Sequence, residues 1–372
     1  MARYAIRTRA PLARPKGSAA PAAWVVAIAL ILVSCTTAST SPSPSAEQPA
    51  SSAASATAEP TEEATPEPTP EPVDVNLRLD FTINGKHAAF LVGIAQGFYA
   101  DVGINLTVAE GRGSLASAQL VVNQEDPFAF VDATSAASLI SEGAPVKMVA
   151  IFSQQTPTAA ISFAPLESPE DLKGKVIGYF ALGSVPSAWE AFKARNGLVS
   201  ADFTEVNLEA TSLLPALLEG QIDVDLGLVN AEGAAAPVLS GNPVNILRFA
   251  DWGVNALAHG ILVHQQLIDE DPDLVQRFVE ASVRSWEYTV ENPDEAVDAL
   301  MEAFPESNRE IIENQLELSL ELLHTINTEG ETLGFMAPED WQATIDLLAD
   351  YGGLRNTVPV RDFYTNDFIP GN

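Results

Sequence analysis

The sequence predicts an α/β protein of two lobes, two mostly parallel sheets flanked by helices, and three observations predict it. From Asn76 onward, short β-type runs alternate with helical stretches, the pattern of a mostly parallel sheet. That βα pattern comes as two blocks, the second opening at Ser168-Pro169-Glu170-Asp171-Leu172, and a run of helices closes the chain. About 300 residues follow a polar segment that cannot fold, as much as or more than one hydrophobic core usually serves.

In chain order, the first element is an export leader. Arg3, Arg7, Arg9, Arg14 and Lys16 precede an apolar core from Trp24 to Val33 with no acidic residue between them. That core is too short for a transmembrane helix. Leu32-Val33-Ser34-Cys35 resembles the lipobox of bacterial lipoproteins, and Cys35 is the only cysteine in 372 residues. The resemblance implies cleavage after residue 34, lipidation of Cys35 and a membrane anchor that does not span the bilayer. An ordinary secretory signal that happens to contain a cysteine is the alternative. With one cysteine there is neither a disulfide framework nor a thiolate metal site. Residues 35–72 are Ser, Thr, Ala, Pro, Glu and Gln almost throughout, too poor in apolar surface to offset their ordering entropy. They read as a tether, partly extended by their prolines. The net charge of −31 repels nucleic acid, and nucleic-acid binding is excluded as a function.

Residues 76–82 alternate by twos and predict the first strand, followed by a helix over 88–98, a strand over 104–108, a helix over 115–122 and an apolar strand over 128–131. A helix over 134–142 and a strand over 147–152 complete the first block. In the second, Ser168 and Pro169 open a helix as N-cap and N1. Strands follow at 176–179, 204–207 and 225–229, with helices at 186–196 and 212–219. Residues 245–249 and 260–264 read as returning strands, and helices cover 273–290, 293–304, 310–323 and 338–351. One lobe is thus expected over about 73–165 and 255–372, the other over about 166–254.

Five stretches in order carry a family resemblance. They are Asp80-Phe81-Thr82-Ile83-Asn84-Gly85-Lys86-His87 with Gln96-Gly97-Phe98-Tyr99-Ala100-Asp101; Asp171-Leu172-Lys173-Gly174-Lys175; Glu219-Gly220-Gln221-Ile222-Asp223; Asn292-Pro293-Asp294-Glu295-Ala296; and Tyr364-Thr365-Asn366-Asp367-Phe368. Together they resemble type II periplasmic-type solute-binding proteins. The branch is the one related to thiamine-pyrimidine synthases and to binding proteins for thiamine precursors, riboflavin, taurine and nitrate. The resemblance implies a ligand cleft between two lobes that close about crossover strands, at the carboxyl ends of the strands.

That rule selects the candidate residues. Asn84 and His87 suit the edge of a heterocycle, or form an Asn-Gly turn with a surface histidine. In the loop from Glu110 to Ser114, the backbone at Gly113 and Ser114 is placed to hold an oxygen or phosphate, or simply turns. Asp132, with Thr134 after it, either accepts hydrogen bonds from a ligand or caps the next helix. Gln154 and Gln155 follow the fourth strand as amide contacts or hinge surface. In the second lobe, Tyr179 is placed to stack on a planar ligand and Ser184 to donate at a helix start. Asn230 and Glu232 lie where the fold crosses back, and Trp252 offers a second stacking face or core packing. His259 and His264 point to opposite faces of a strand and cannot share a metal. His324, Trp189, Trp286 and Trp341 read as structural.

The resemblance implies the solute-binding component of an ABC importer. Its partners are a small-molecule solute, the permease and ATPase subunits, and the membrane through the lipid anchor; it is a monomer held outside the cytoplasm. The loops contain only Lys86 and Arg112 as basic residues, which disfavours taurine, alkanesulfonate or nitrate against a flat polar heterocycle, a thiamine pyrimidine precursor or a flavin. The fungal synthases of the branch consume a histidine, matched by His87, with lysine-bound pyridoxal phosphate, iron and a cysteine-rich segment. No cysteine stands at Ala256-Leu257-Ala258-His259-Gly260, where that segment falls, so no enzyme, cofactor or metal is expected.

Overall fold

In the computed structural model, the described residues are 72–371 except 182, 353, 355 and 357. The leader, Cys35 and the tether lie outside them. Strand β1 (Val73–Leu79) buries Val75, Leu77 and Leu79 on one face, as its alternation requires. A 3-10 turn (Gly85–His87) leads into α1 (Ala88–Ala95), which ends before the predicted residue 98, and α2 (Phe98–Asp101) follows after Gly97, whose φ of 77° separates the two. Then come β2 (Ile104–Ala109), α3 (Ser114–Val122), the fully buried β3 (Phe128–Asp132), α4 (Ala133–Ser141) and β4 (Val146–Ile151).

The chain crosses to the second lobe directly after β4. Strand β5 (Thr158–Ser162) pairs with strands of the second sheet, so the crossing lies before residue 158 and not near 165 as expected. Its Thr-Ala-Ala-Ile-Ser sequence is buried on both faces yet weakly hydrophobic, and periodicity does not reveal it. Beyond a 3-10 turn at Pro169–Leu172, the lobe continues with β6 (Val176–Tyr179), α5 (Val185–Arg195), β7 (Thr204–Asn207), α6 (Ala210–Leu218), β8 (Val224–Leu228), α7 (Glu232–Ser240) and β9 (Asn245–Arg248). Helix α7 was not predicted, because Ala234, Ala235 and Ala236 carry no amphipathic pattern.

Strand β10 (His259–His264) returns to the first sheet, followed by α8 (Gln265–Glu270), α9 (Pro272–Glu291), α10 (Pro293–Ala303), α11 (Arg309–Leu320) and α12 (Pro338–Leu347), the last running into a π-helical turn (Leu348–Gly352). The sheet orders are β2-β1-β3-β10-β4 and β7-β6-β8-β5-β9. Each sheet is mixed: β10 is antiparallel to β3 and β4, and β5 to β8 and β9. Both strands enter their lobe from the crossover side, opposite to the strands that leave towards the cleft.

Helix α9 buries a full face, from Leu274 to Thr289, against the first sheet. There Phe128 stacks on Phe278 at 3.9 Å between ring centroids and Phe152 on Trp286 at 5.0 Å. Trp189, Trp286 and Trp341 are all core residues, as the sequence indicates. A second apolar cluster joins α4, α5, Phe249 and α12, so the carboxyl-terminal helix is packed into both lobes and the lobe boundary at residue 255 does not hold for it.

Candidate functional site

The loop leaving β1 holds a buried charge cluster. Asn84 Oδ1 accepts from the Lys86 N–H at 3.1 Å, and His87 Nδ1 accepts from the Asn84 N–H at 3.1 Å, a reciprocal capping box. Because Nδ1 accepts, the ring proton sits on Nε2, which donates to Asp80 Oδ1 at 2.8 Å. Lys86 Nζ donates to Asp80 Oδ2 at 2.6 Å, and His259 Nε2 lies 3.1 Å from the same oxygen. Burial pushes the Asp80 carboxyl up, but the Lys86 charge, His259 and the hydrogen bonds outweigh it and hold the group well below the usual carboxylate range. Burial lowers His87 to about 4 against the opposing pull of Asp80, so its imidazole is neutral. His87 is 0 % exposed with both ring nitrogens engaged. It is an internal anchor and not the ligand contact the motif implied. Gly85 is required here: a Cβ would lie 2.5 Å from backbone atoms of Ile312 and Leu316 in α11.

The glycine-rich loop spends two of its backbone donors internally. The Gly111 N–H donates to Phe81 O and the Gly113 N–H to Asp80 O, while Ser114 Oγ accepts from the Asp132 N–H at 3.1 Å. Gly113, at φ 124°, and Ser114 therefore fix the loop to β1 and β3, and the Gly113 N–H is not free for an anion. Asp132 caps α4: its Oδ1 accepts from the Thr134 N–H at 2.9 Å and the Ser135 N–H at 3.4 Å, and from the Thr134 hydroxyl. Oδ2 of Asp132 has no partner among the described residues.

Asp132 and Thr134 open onto a narrow space between the lobes. Its opposite wall is the start of α5, with Ser184, Ser187 and Ala188; Thr156 of the first crossover, Val254, Ala256 and Leu257 of the second, and Leu347 of α12 close it. Of the predicted residues, Asp132, Thr134 and Ser184 are brought together. Thr156, Ser187 and Leu347 were missed. A hydroxyl one residue before Pro157, and a second serine one turn into α5, are the only local signals for the first two; Leu347 arrives from a distant helix.

The other candidates serve elsewhere. Gln154 is buried, its amide donating to Ile151 O at 3.1 Å and Phe335 O at 2.6 Å, and Gln155 donates to His324 O at 2.7 Å. Asn230 is buried and donates to Ser319 Oγ of α11 at 2.9 Å. Glu232 begins α7 and accepts from the Leu228 N–H at 2.9 Å. Tyr179 and Trp252 are half-buried against the cluster shared by the lobes, and neither lines the cavity. Burial raises Asp225, beneath Glu232, well above the ordinary carboxyl range, and the Glu232 charge adds to it. Among the described residues no group of side chains forms a metal site, and no helix is long and apolar enough to cross a membrane.

Comparison with known proteins agrees with this architecture. The chain is 32% identical over 314 residues to the riboflavin-binding protein RibY of Chloroflexus aurantiacus, covering 80% of this chain and 86% of the relative. It is 25% identical over 301 residues to the formylaminopyrimidine-binding protein of Halalkalibacterium halodurans, covering 78% and 89%. The solved periplasmic aliphatic sulphonate binding protein SsuA from Escherichia coli superposes with a TM-score of 0.61 at 13% identity over 78% of this chain and 92% of that one, a likeness of fold. Residues 84–296, more than half of the chain, match the family described as NMT1/THI5 like. By that match, the chain belongs to the NMT1/THI5-like family.

Proposed function

We propose that this chain is the extracytoplasmic solute-binding component of an ABC importer, a monomer that captures a small polar heterocycle by lobe closure and passes it to the permease. The interlobe cavity carries the reading: its walls come from both lobes and both crossovers, so lobe motion opens and closes it. The relatives named for riboflavin and for formylaminopyrimidine support the ligand class, since both compounds contain a pyrimidine ring. Among the described residues no basic side chain lines the cavity, which weighs against taurine, alkanesulfonate or nitrate. A lipid on Cys35 and the tether of residues 35–72 complete the proposal, placing the domain beside a membrane.

The synthase alternative is disfavoured by the charge cluster. A lysine-bound pyridoxal phosphate needs a free amine, and Lys86 is 2 % exposed and bonded to Asp80. His87, equally sealed, is not available to be consumed. Lys86 and His87 do not fit that cofactor. A thermal-shift and calorimetric panel of pyrimidines, flavins, taurine, nitrate and alkanesulfonates tests the proposal. The expected result is a heterocycle with Kd near micromolar, about −8 kcal/mol; stabilisation by taurine alone refutes it.

A further inference from the structure

We infer that Asp132 and the uncapped start of α5 read the donor–acceptor edge of an uncharged pyrimidine ring. This rests on the solute-binding reading above and assigns the atoms that select the ligand. Asp132 is 5 % exposed, and one of its oxygens is fully used in capping α4. The other, Oδ2, has no partner among the described residues, and Asp132 lines the cavity. An ionised carboxylate oxygen accepts only, so it calls for an N–H or O–H on the ligand.

The facing wall offers the complement. Helix α5 begins at Val185, and no side chain among the described residues caps it. The first N–H groups of a helix have no intrahelical acceptor, and Pro186 removes one of them. The remaining donors call for a ligand carbonyl or ring nitrogen. Asp132 and the α5 start thus present an acceptor and a donor set across one narrow space, Ser184 and Ser187 beside them. A ring with an N–H next to an acceptor satisfies both walls at once. An aminopyrimidine has this edge in its amino group and ring nitrogen, and a flavin has it in the N3–H between two carbonyls. A phosphate placed on the exocyclic carbon beside the amino group would meet the Asp132 carboxylate with no cation among the described lining residues.

The test uses the full chain with five probes: 4-amino-5-hydroxymethyl-2-methylpyrimidine, its phosphate ester, the formylamino analogue, riboflavin and 3-methylriboflavin, which lacks the N3–H. Tight riboflavin binding that falls at least about tenfold on N3 methylation identifies the flavin edge as the source. Tight pyrimidine binding that falls at least about tenfold on phosphorylation identifies the free pyrimidine. Two variants follow. Asp132→Asn keeps a capping side chain and is expected to bind at least about tenfold more weakly. Ser184→Asp supplies α5 with its own carboxylate cap; its ligand-free melting temperature holds or rises while binding is lost. If ligands bind but both variants match the wild type, or the blocked probes bind equally well, the inference falls and the solute-binding reading stands. If none of the probes binds the wild type, both fall.

Discussion

Asp225→Asn is expected to stabilise the protein at alkaline pH and to change nothing at pH 4. Asp225 is 0 % exposed on β8, and neither carboxyl oxygen has a hydrogen-bond partner among the described residues. A Cβ placed on Gly227 would lie 3.3 Å from Asp225 Oδ1 and 2.8 Å from Glu232 Oε2, so two carboxyl groups flank the same small space. Burial, and then the Glu232 charge, hold the folded-state pKa well above the model-compound 3.8. The folded state therefore keeps a proton that the unfolded chain releases. The stability this contributes is fully present below pH 3.8 and drains away as pH rises through the folded-state value. An amide at this position cannot ionise, removes the repulsion and can donate to Glu232. A buried unpartnered polar group costs about 1–3 kcal/mol, which sets the gain expected at pH 8. Each kcal/mol moves the melting temperature of a domain this large by about 2–4 °C. Urea and thermal unfolding of both proteins at pH 4, 6 and 8 measure the difference between them, in which the common titration of the acidic surface cancels. Equal stability of the two at pH 8, or a gap that does not widen from pH 4 to pH 8, refutes the reasoning.

His87 makes a second pH prediction with the opposite sign. Its pKa is lowered from 6.5 to about 4, so the unfolded chain takes up the proton first, and stability falls as pH drops from 6.5 to 4 by up to about 3 kcal/mol. The His87 ring resonances in NMR should stay in the neutral form down to pH 5, and titration near 6.5 would show the ring to be in contact with water. Gly85→Ala should lower stability by at least about 1–3 kcal/mol, because the methyl meets α11 backbone and not a movable side chain; an unchanged melting temperature contradicts the packing. Trp286→Ala empties a fully buried site stacked on Phe152 and should cost about 3–5 kcal/mol, read from urea unfolding.

Much of the fold was legible because β1, β2, β6, α9 and α10 carry strong alternation, helical spacing or proline starts. What escaped did so for identifiable reasons. Strand β5 and helix α7 are made of small residues whose burial depends on neighbours far along the chain. The crossing point moved with β5. Antiparallel pairing of β5 and β10 depends on which lobe a strand enters from, which no local pattern encodes. The strand-end rule picked out Asp132, Thr134 and Ser184, which line the interlobe space, but it could not tell a polar side chain facing the cleft from one turned inward to bond a helix or a crossover. Asn230, Gln154 and His87 are all of the second kind.

The inward-facing residues explain how the outward-facing one is held. Asp80 joins the loop after β1 to His259, and His259 stands opposite Asp132 in the antiparallel pairing of β10 with β3. Ala133 N–H donates to Ala258 O at 2.7 Å, and the Phe152 and Ser153 N–H groups both donate to His259 O at 3.0 Å, so the two crossovers and the end of β3 meet at one residue. The charge cluster that carries the family motif therefore fixes the floor of the cleft relative to both crossovers. On the inference drawn above, recognition falls to Asp132 and the start of α5, which no motif marks. A frame of this kind lets ligand preference change at the cavity wall without disturbing the buried cluster, which fits relatives that are named for different ligands.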